Sequence, residues 1–311
     1  MTCIRIATRA SDLALVQARS MAARIESELG VPTEIVPVKT TGDRIQNVSL
    51  AKIGGKGLFV KEIEAALVEG RADLAVHSAK DLPAVLAEGL VLAAFPERAD
   101  CRDALVARRS GETLDALGAG ARVGTGSTRR CAQLKANRAD LEIVPLRGNV
   151  TTRLRKLVEQ ELDAVILACA GLDRLGFGDQ IEERISPDVM LPAVAQGALA
   201  IEARRGEALC DDLGALNDAR TARHVSAERG FLSRLEADCT VPVACLAEAG
   251  GDGMLRLRGL VAALDGSRIV RGELEVGADD DAASGGSRLA ERILASGGED
   301  ILAEIRSGAD S

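Results

Sequence analysis

Asp81 closes the stretch His77-Ser78-Ala79-Lys80-Asp81, just past the end of a predicted strand. A carboxyl group there can hand a proton to a leaving amine or stabilise positive charge developing on a substrate. The plainer alternative, an Asp that merely caps a helix near Pro83, stays open. His77 reads as a hydrogen-bonded neighbour and not as an acid–base group. Cys239 lies in Leu235-Glu-Ala-Asp-Cys-Thr-Val-Pro242 after a predicted helix, where a loop thiol can be presented as a nucleophilic thiolate. Residue chemistry alone ranks it little above Cys245. A set of cations and hydroxyls falls at predicted strand ends: Thr8, Arg9, Ser11, Ser78 and Lys80, and further on Thr125, Ser127, Arg129, Arg130, Arg147 and Arg153. Guanidinium forks grip carboxylates in pairs, each charge-assisted bond contributing roughly 1.5–3 kcal/mol. The helix start after Gly124 adds main-chain donors. Any one of these arginines is ordinary surface; together they point to a small polyanion. Lys52 and Lys56 flank Gly54-Gly55 in a long loop without Walker spacing, which reads as a mobile lid.

Placing strand ends together requires a sheet. The first 190 residues alternate short apolar strands with amphipathic helices. Strands are predicted at 3–7, 33–39 and 72–77. One helix follows Ser11, with Ala14, Ala18, Met21, Ile25 and Leu29 on one face and Gly30 at its end. Another spans 58–69, stopped by Gly70. The pattern recurs with strands at 122–124, 141–146 and 163–168 and helices at 128–137 and 150–160. Asp73-Leu-Ala-Val-His77 matches Asp163-Ala-Val-Ile-Leu167. This alternation predicts two doubly wound α/β lobes of similar topology, with mainly parallel sheets whose ligands bind beyond the strand C-termini. Residues 96–103 fit a linker between the lobes and 191–198 a return crossing. From Thr221 a helix (222–236), strands at 241–248, 254–263 and 268–276, a Gly/Ser/Asp loop at 279–287 and one or two closing helices predict a small α+β domain.

Composition narrows the function. The 311 residues suffice for two or three domains. Aromatics are 1%, with no Trp and no Tyr, so base-stacking platforms for single-stranded nucleic acid are missing. The net charge of −8 disfavours duplex binding. Seven Cys, odd in number and without C-x-x-C spacing, give neither a disulfide framework nor a zinc site, and two His exclude a His-rich metal centre. No apolar run reaches membrane length, and the N-terminus lacks a signal-peptide pattern. The expectation is a cytoplasmic protein with no metal, no membrane and no nucleic-acid partner.

Seven motifs occur in one order: Ile6-Ala-Thr-Arg9, Lys52-Ile-Gly-Gly-Lys-Gly-Leu-Phe-Val-Lys-Glu62, Ala75-Val-His-Ser-Ala-Lys-Asp81, Leu146-Arg-Gly-Asn149, Thr152-Arg-Leu154, Leu191-Pro-Ala-Val-Ala-Gln-Gly197 and Cys239-Thr-Val-Pro242. In these, the chain resembles the porphobilinogen deaminase (hydroxymethylbilane synthase) family nearly end to end. The resemblance implies two periplasmic-binding-protein-like lobes, the first from 1–97 and 197–216 and the second from 102–191, with a C-terminal α+β domain at 220–311. It implies a monomer that joins four porphobilinogens head to tail, releasing ammonia, into hydroxymethylbilane for tetrapyrrole biosynthesis and passes it to uroporphyrinogen III synthase. The implied cofactor is dipyrromethane on a thioether to Cys239, held by Ser11, Ser78, Lys80, Thr125, Ser127, Arg129, Arg130 and Arg147. Asp81 would be the catalytic carboxylate, with Arg9, Arg153, Arg174, Gln196, Lys52 and Lys56 on the substrate. Four positions depart from the commonest family pattern: Ala237-Asp238 where Gly-Gly precedes the Cys, Gly126 in place of Ser, and Ala195 in place of Gly.

Two other classes are weighed against this. A two-lobed anion carrier would have the bare chain mass, without a dipyrrole adduct. A phosphoribosyl-type transferase on a similar fold would need magnesium.

Overall fold

The computed structural model describes residues 3–41, 60–237 and 240–309. In chain order the elements are β1 (Ile4–Arg9), α1 (Asp12–Leu29), β2 (Thr33–Val38), α2 (Lys61–Val68), β3 (Leu74–Ser78), β4 (Leu90–Ala94), β5 (Asp103–Ala107), β6 (Arg122–Thr125), α3 (Thr128–Asn137), β7 (Glu142–Pro145), α4 (Val150–Glu159), β8 (Ala164–Ala168), α5 (Cys169–Arg174), β9 (Glu183–Ile185), β10 (Leu199–Arg204), α6 (Ala208–Leu213), α7 (Ala219–Leu235), β11 (Val243–Ala249), β12 (Leu255–Ala262), β13 (Ile269–Val276), α8 (Ala282–Ile293) and α9 (Glu299–Ala309). No helix among the described residues is long and apolar enough to cross a membrane. The chain divides into two compact units. The described part of unit one is 3–41, 60–99 and 197–223, and that of unit two is 100–196, 224–237 and 240–309.

Unit one is a five-stranded sheet in the order β2-β1-β3-β10-β4. The strands β1, β2 and β3 run parallel, and β10 enters antiparallel between β3 and β4. On one face α1 buries Ala18, Met21, Ala22 and Ile25 against Ile4, Ile6, Leu74 and Val76. This is the predicted apolar stripe, and it ends at Gly30, whose φ of 66° lets its N–H close on Glu26 O at 3.1 Å. On the other face α2 places Ile63 and Leu67 against Ala7, Ala75 and Leu90.

Unit two repeats that order as β7-β6-β8-β5-β9, again a parallel trio followed by one antiparallel strand and a last strand. The expected pair of similarly wound α/β lobes is therefore present in the topology. In each sheet the antiparallel strand is the first to form after the chain changes unit: β5 after residue 99 and β10 after residue 196. These strands, with β4 and β9, were not anticipated, because runs of three to six residues are too short to carry a clear periodic signal.

Unit two also contains the antiparallel sheet β11-β12-β13, so the small C-terminal α+β layer belongs to the same compact unit as the second five-stranded sheet. One face of it shares an apolar cluster with α3: Ala132, Leu191, Ala244, Leu246, Leu260 and Ala262. The predicted loop at 279–287 is corrected. Asp281 accepts a cap bond from Ser284 N at 2.9 Å, and α8 runs from Ala282 straight through Gly285 and Gly286. A Cβ on Gly286 would stand 1.8 Å from Ala227 O, and one on Gly230 2.1 Å from Ala283 O. The glycines that look like loop composition are the contact by which α7 and α8 cross backbone to backbone.

Candidate functional site

In unit one, parallel pairing of β1 with β3 (Ala7 opposite Ala75) carries the ends of both strands to one edge of the sheet. Arg9 ends β1, and Ser78 ends β3. Beyond Ser78 a short 3-10 turn, Ala79–Asp81, is held by Ala79 N donating to Ala198 O at 3.0 Å. Asp81 is exposed there, its Oδ2 3.8 Å from Arg9 Nη1. A pocket opens between them, walled by Arg9, Ser11, Gln17, His77, Ser78 and Asp81. Ser11 sits extended ahead of α1 and makes no side-chain cap bond. Lys80 is half-buried in the turn. Thr8, buried, donates to Ala14 O at 3.3 Å and so anchors α1.

Gln17 was missed by sequence reasoning. It is buried, and its Nε2 donates to Ser78 Oγ at 3.0 Å. Its signal was a polar residue standing on the apolar stripe of α1, between Ala14 and Met21. His77 has the hydrogen-bonded role expected of it, with Nε2 3.0 Å from Glu202 Oε2.

In unit two the strand ends of β6 and β7 meet in the same way, Thr125 pairing with Pro145. Thr125 is buried at the end of β6, and Ser127 caps α3, accepting from Arg130 N at 3.4 Å. Arg147 is half-buried in the turn before α4. That turn is braced twice: Arg153 Nε donates to Gly148 O at 2.7 Å, and Lys156 Nζ to Arg147 O at 3.0 Å. A Cβ on Gly126 would lie 2.4 Å from Leu146 O. The missing Ser at 126 thus matches a backbone approach that leaves no room for a side chain.

Arg129, Arg130 and Gln196 share a buried partner. All three are buried around Asp103. Arg129 reaches both carboxylate oxygens, at 2.7 and 3.1 Å, and also donates to Leu191 O. Arg130 donates to Asp103 Oδ1 through Nε at 2.9 Å and Nη2 at 2.7 Å, and to Ile166 O. Gln196 Nε2 donates to Asp103 Oδ1 at 3.0 Å and to Cys101 O at 2.8 Å. Burial pushes the Asp103 carboxyl up, but the two guanidiniums outweigh it and hold the group well below the usual carboxylate range. The arrangement has a physical reason. Asp103 is wholly buried at the start of β5, and an unpaired charge there would be strongly destabilising. The cations on the first turn of α3 are turned to it, not outward. Asp103 itself was not singled out, because one Asp at a strand start carries no sequence signal. Arg174 ends α5 half-buried, and burial pushes its guanidinium down. Lys52, Lys56 and Cys239 lie outside the described residues.

The description "Porphobilinogen deaminase, dipyromethane cofactor binding domain" matches residues 4–212, and "Porphobilinogen deaminase, C-terminal domain" matches residues 222–295. A porphobilinogen deaminase of Syntrophus aciditrophicus is 50% identical over 98% of this chain and 99% of its own. One of Nitratidesulfovibrio vulgaris is 52% identical over 96% of each chain. Among solved structures, the VFT2 domain of Bordetella pertussis BvgS matches 73% of this chain and 92% of its own at 17% identity and a TM-score of 0.42. With family descriptions over both units and half of all residues shared with curated relatives, this chain belongs to the porphobilinogen deaminase family.

Proposed function

We infer that the chain condenses porphobilinogen head to tail into hydroxymethylbilane, with loss of ammonia at each addition, as a step of tetrapyrrole biosynthesis. The observation that carries this reading is the pocket of unit one, where the exposed carboxylate of Asp81 stands beside Arg9 and the hydroxyls of Ser11 and Ser78.

A dipyrromethane bears carboxylate side chains outward and pyrrole N–H donors inward. It asks for cations and hydroxyls around one acceptor. Arg9, Ser11, Ser78, Lys80 and Asp81 provide that set in unit one, and Thr125, Ser127, Arg147 and Arg153 provide cations and hydroxyls in unit two. The donor chemistry fits the group, with Cys239 as its thioether anchor. When bound, it supplies the reactive pyrrole carbon to which the first unit is joined, each later unit joining the pyrrole added before it. Arg129, Arg130 and Gln196 act one step back, as the buried frame under Ser127.

Asp81 accepts the pyrrole N–H of porphobilinogen. As the C–N bond of the protonated aminomethyl group breaks and ammonia departs with the bonding electron pair, positive charge spreads over the substrate ring, and the carboxylate stabilises it. The same carboxylate takes up the ring proton given back when the new carbon–carbon bond forms. Arg9, Arg147, Arg153 and Arg174 orient acetate and propionate groups, with Lys52 and Lys56 in the same role. The division into 1–97 with 197–216, 102–191 and 220–311, operation as a cytoplasmic monomer and delivery of product to uroporphyrinogen III synthase belong to the same proposal.

The test is intact mass together with ammonia release. Purified protein should carry a dipyrrole adduct that Cys239→Ser abolishes, and it should release ammonia from porphobilinogen in the presence of a chelator. A bare chain mass that persists after incubation with porphobilinogen would sink the reading.

A further inference from the structure

Three buried ionisable side chains in unit one take no part in the chemistry above: His77 on β3, Glu202 on β10 and Glu64 on α2. The antiparallel register sets His77 opposite Ala200 and Glu202 opposite Ala75. His77 and Glu202 therefore stand on the sheet face that Ile63 and Leu67 of α2 cover, and Glu64 projects from that same helix. His77 is 6% exposed and Glu202 0%, with His77 Nε2 3.0 Å from Glu202 Oε2. Glu64 Oε1 accepts from Ala87 N at 3.2 Å. Burial pushes the Glu64 carboxyl up; the Ala87 N–H pulls against it, and the charge of Glu202 adds to the rise.

Stability does not account for this cluster. Among the described residues, Glu202 Oε1 has no hydrogen-bond partner, and a buried orphan of that kind is destabilising. Apolar residues of similar volume commonly match or exceed a buried ion pair in stability. What the cluster does have is directionality. The imidazole precedes Ser78 and the turn bearing Asp81, and His77 is among the residues that line the same pocket. Glu202 fixes it to β10, and Ala198, the residue just before that strand, holds the turn. Glu64 joins α2, which begins nine residues after Lys52. A hydrogen bond constrains distance and angle where a methyl contact would let the strand end slide.

We propose that the buried His77–Glu202 pair, backed by Glu64, is a positioning device that fixes the end of β3 so that Ser78 and Asp81 hold their places in the pocket. This rests on the reading of Asp81 as the group that handles charge and protons.

The test replaces the pair by apolar residues of similar volume, His77→Leu with Glu202→Met, in the full chain. A midpoint of thermal unfolding within a few degrees of wild type and a full dipyrrole adduct by mass are expected, with KM within about twofold. The loss is expected in kcat, about 10- to 100-fold, the scale of a misplacement near 1 Å. Full kcat in that variant overturns the proposal. Should the double variant not fold, Glu202→Met alone removes the partner and is read in the same way.

A second measurement needs no turnover. The chain has two histidines, so His224→Asn leaves one imidazole to observe by 15N nuclear magnetic resonance. The expected spectrum is a single tautomer with its proton on Nε2 in slow exchange, and Glu202→Met should remove that slow exchange. A ring that averages rapidly between tautomers in the wild-type background overturns the pair as a fixed device. Failure of wild-type protein to release ammonia would strike the Asp81 reading instead, and the ring spectrum would still decide on the pair.

Discussion

Asp81 and Asp103 both stand beside arginine, and their surroundings give them opposite work. Asp103 is fully buried, with two guanidiniums in contact, a geometry that leaves the carboxylate nothing to do but hold its neighbours. Asp81 keeps 38% of its side chain exposed, and its arginine is 3.8 Å away, so an oxygen can turn to a ligand. Asp81→Asn removes the charge and the proton acceptor while keeping shape. We expect kcat to fall by about 100-fold or more, in the range of acid–base contributions. The thermal midpoint should move by no more than a degree or two, because exposed pairs contribute little to stability. Steady-state ammonia release and a calorimetric scan check both parts. An Asn variant with near-normal turnover removes Asp81 from the mechanism. At this scale the sequence showed residue types and not directions. Arg9 and Arg130 look alike in a string of letters, and only the buried Asp103 decides which of them faces inward.

Helix ends show how much of the element scale was legible. The strand and helix of the first βα unit, and α3 and α4, fall within one or two residues of their predicted positions, because each has a 3.6-residue stripe bounded by a cap residue: Ser127 before α3, Asn149 before α4. The four strands β4, β5, β9 and β10 were illegible, since they owe their state to strands distant in the chain. The α8 start was misread because local composition could not reveal the α7 crossing. The C-terminal end of α4 contains a position that departs from what its geometry wants. Glu161 N closes on Val158 O at 3.2 Å and Leu162 N on Leu157 O at 3.0 Å, a Schellman closure, with Glu161 at a φ of 51° where glycine is usual. The left-handed state costs a non-glycine residue roughly 1–2 kcal/mol, partly offset by the larger chain entropy of glycine. Glu161→Gly should therefore raise unfolding free energy by about 0.5–1 kcal/mol with kcat and KM unchanged, as read from a urea titration. A loss of stability would mean that the exposed side chain makes a contribution the backbone geometry does not account for.

At the scale of the whole molecule, the fold places its most consequential ion cluster entirely inside one unit. Asp103, Arg129, Arg130 and Gln196 all belong to unit two, where Gln196 and the Cys101 carbonyl tie together two of the chain segments that adjoin unit one in sequence. Unit one has its own core around Ile4, Ile25, Leu74 and Ile201. Weakening the cluster should therefore lower one unit and leave the other. Asp103→Asn keeps the volume but leaves two buried guanidiniums without their counter-charge, and breaking a buried pair in this way costs about 3–5 kcal/mol. For a unit of this size that corresponds to about 10 °C, enough to separate two events that otherwise coincide. Calorimetry near pH 7 should show a low transition for unit two and a second near the wild-type temperature. Acid supplies a check of sign. Because the guanidiniums hold the Asp103 carboxyl below its ordinary value, its contribution is fully present above the ordinary carboxylate range and fades as pH falls through the lowered value. Wild-type protein should lose unit-two stability progressively from about pH 4 downward, while the Asn variant should lose less over the same interval. A single cooperative endotherm in the variant, or an acid response identical to wild type, would show that the Asp103 cluster does not govern the stability of its unit.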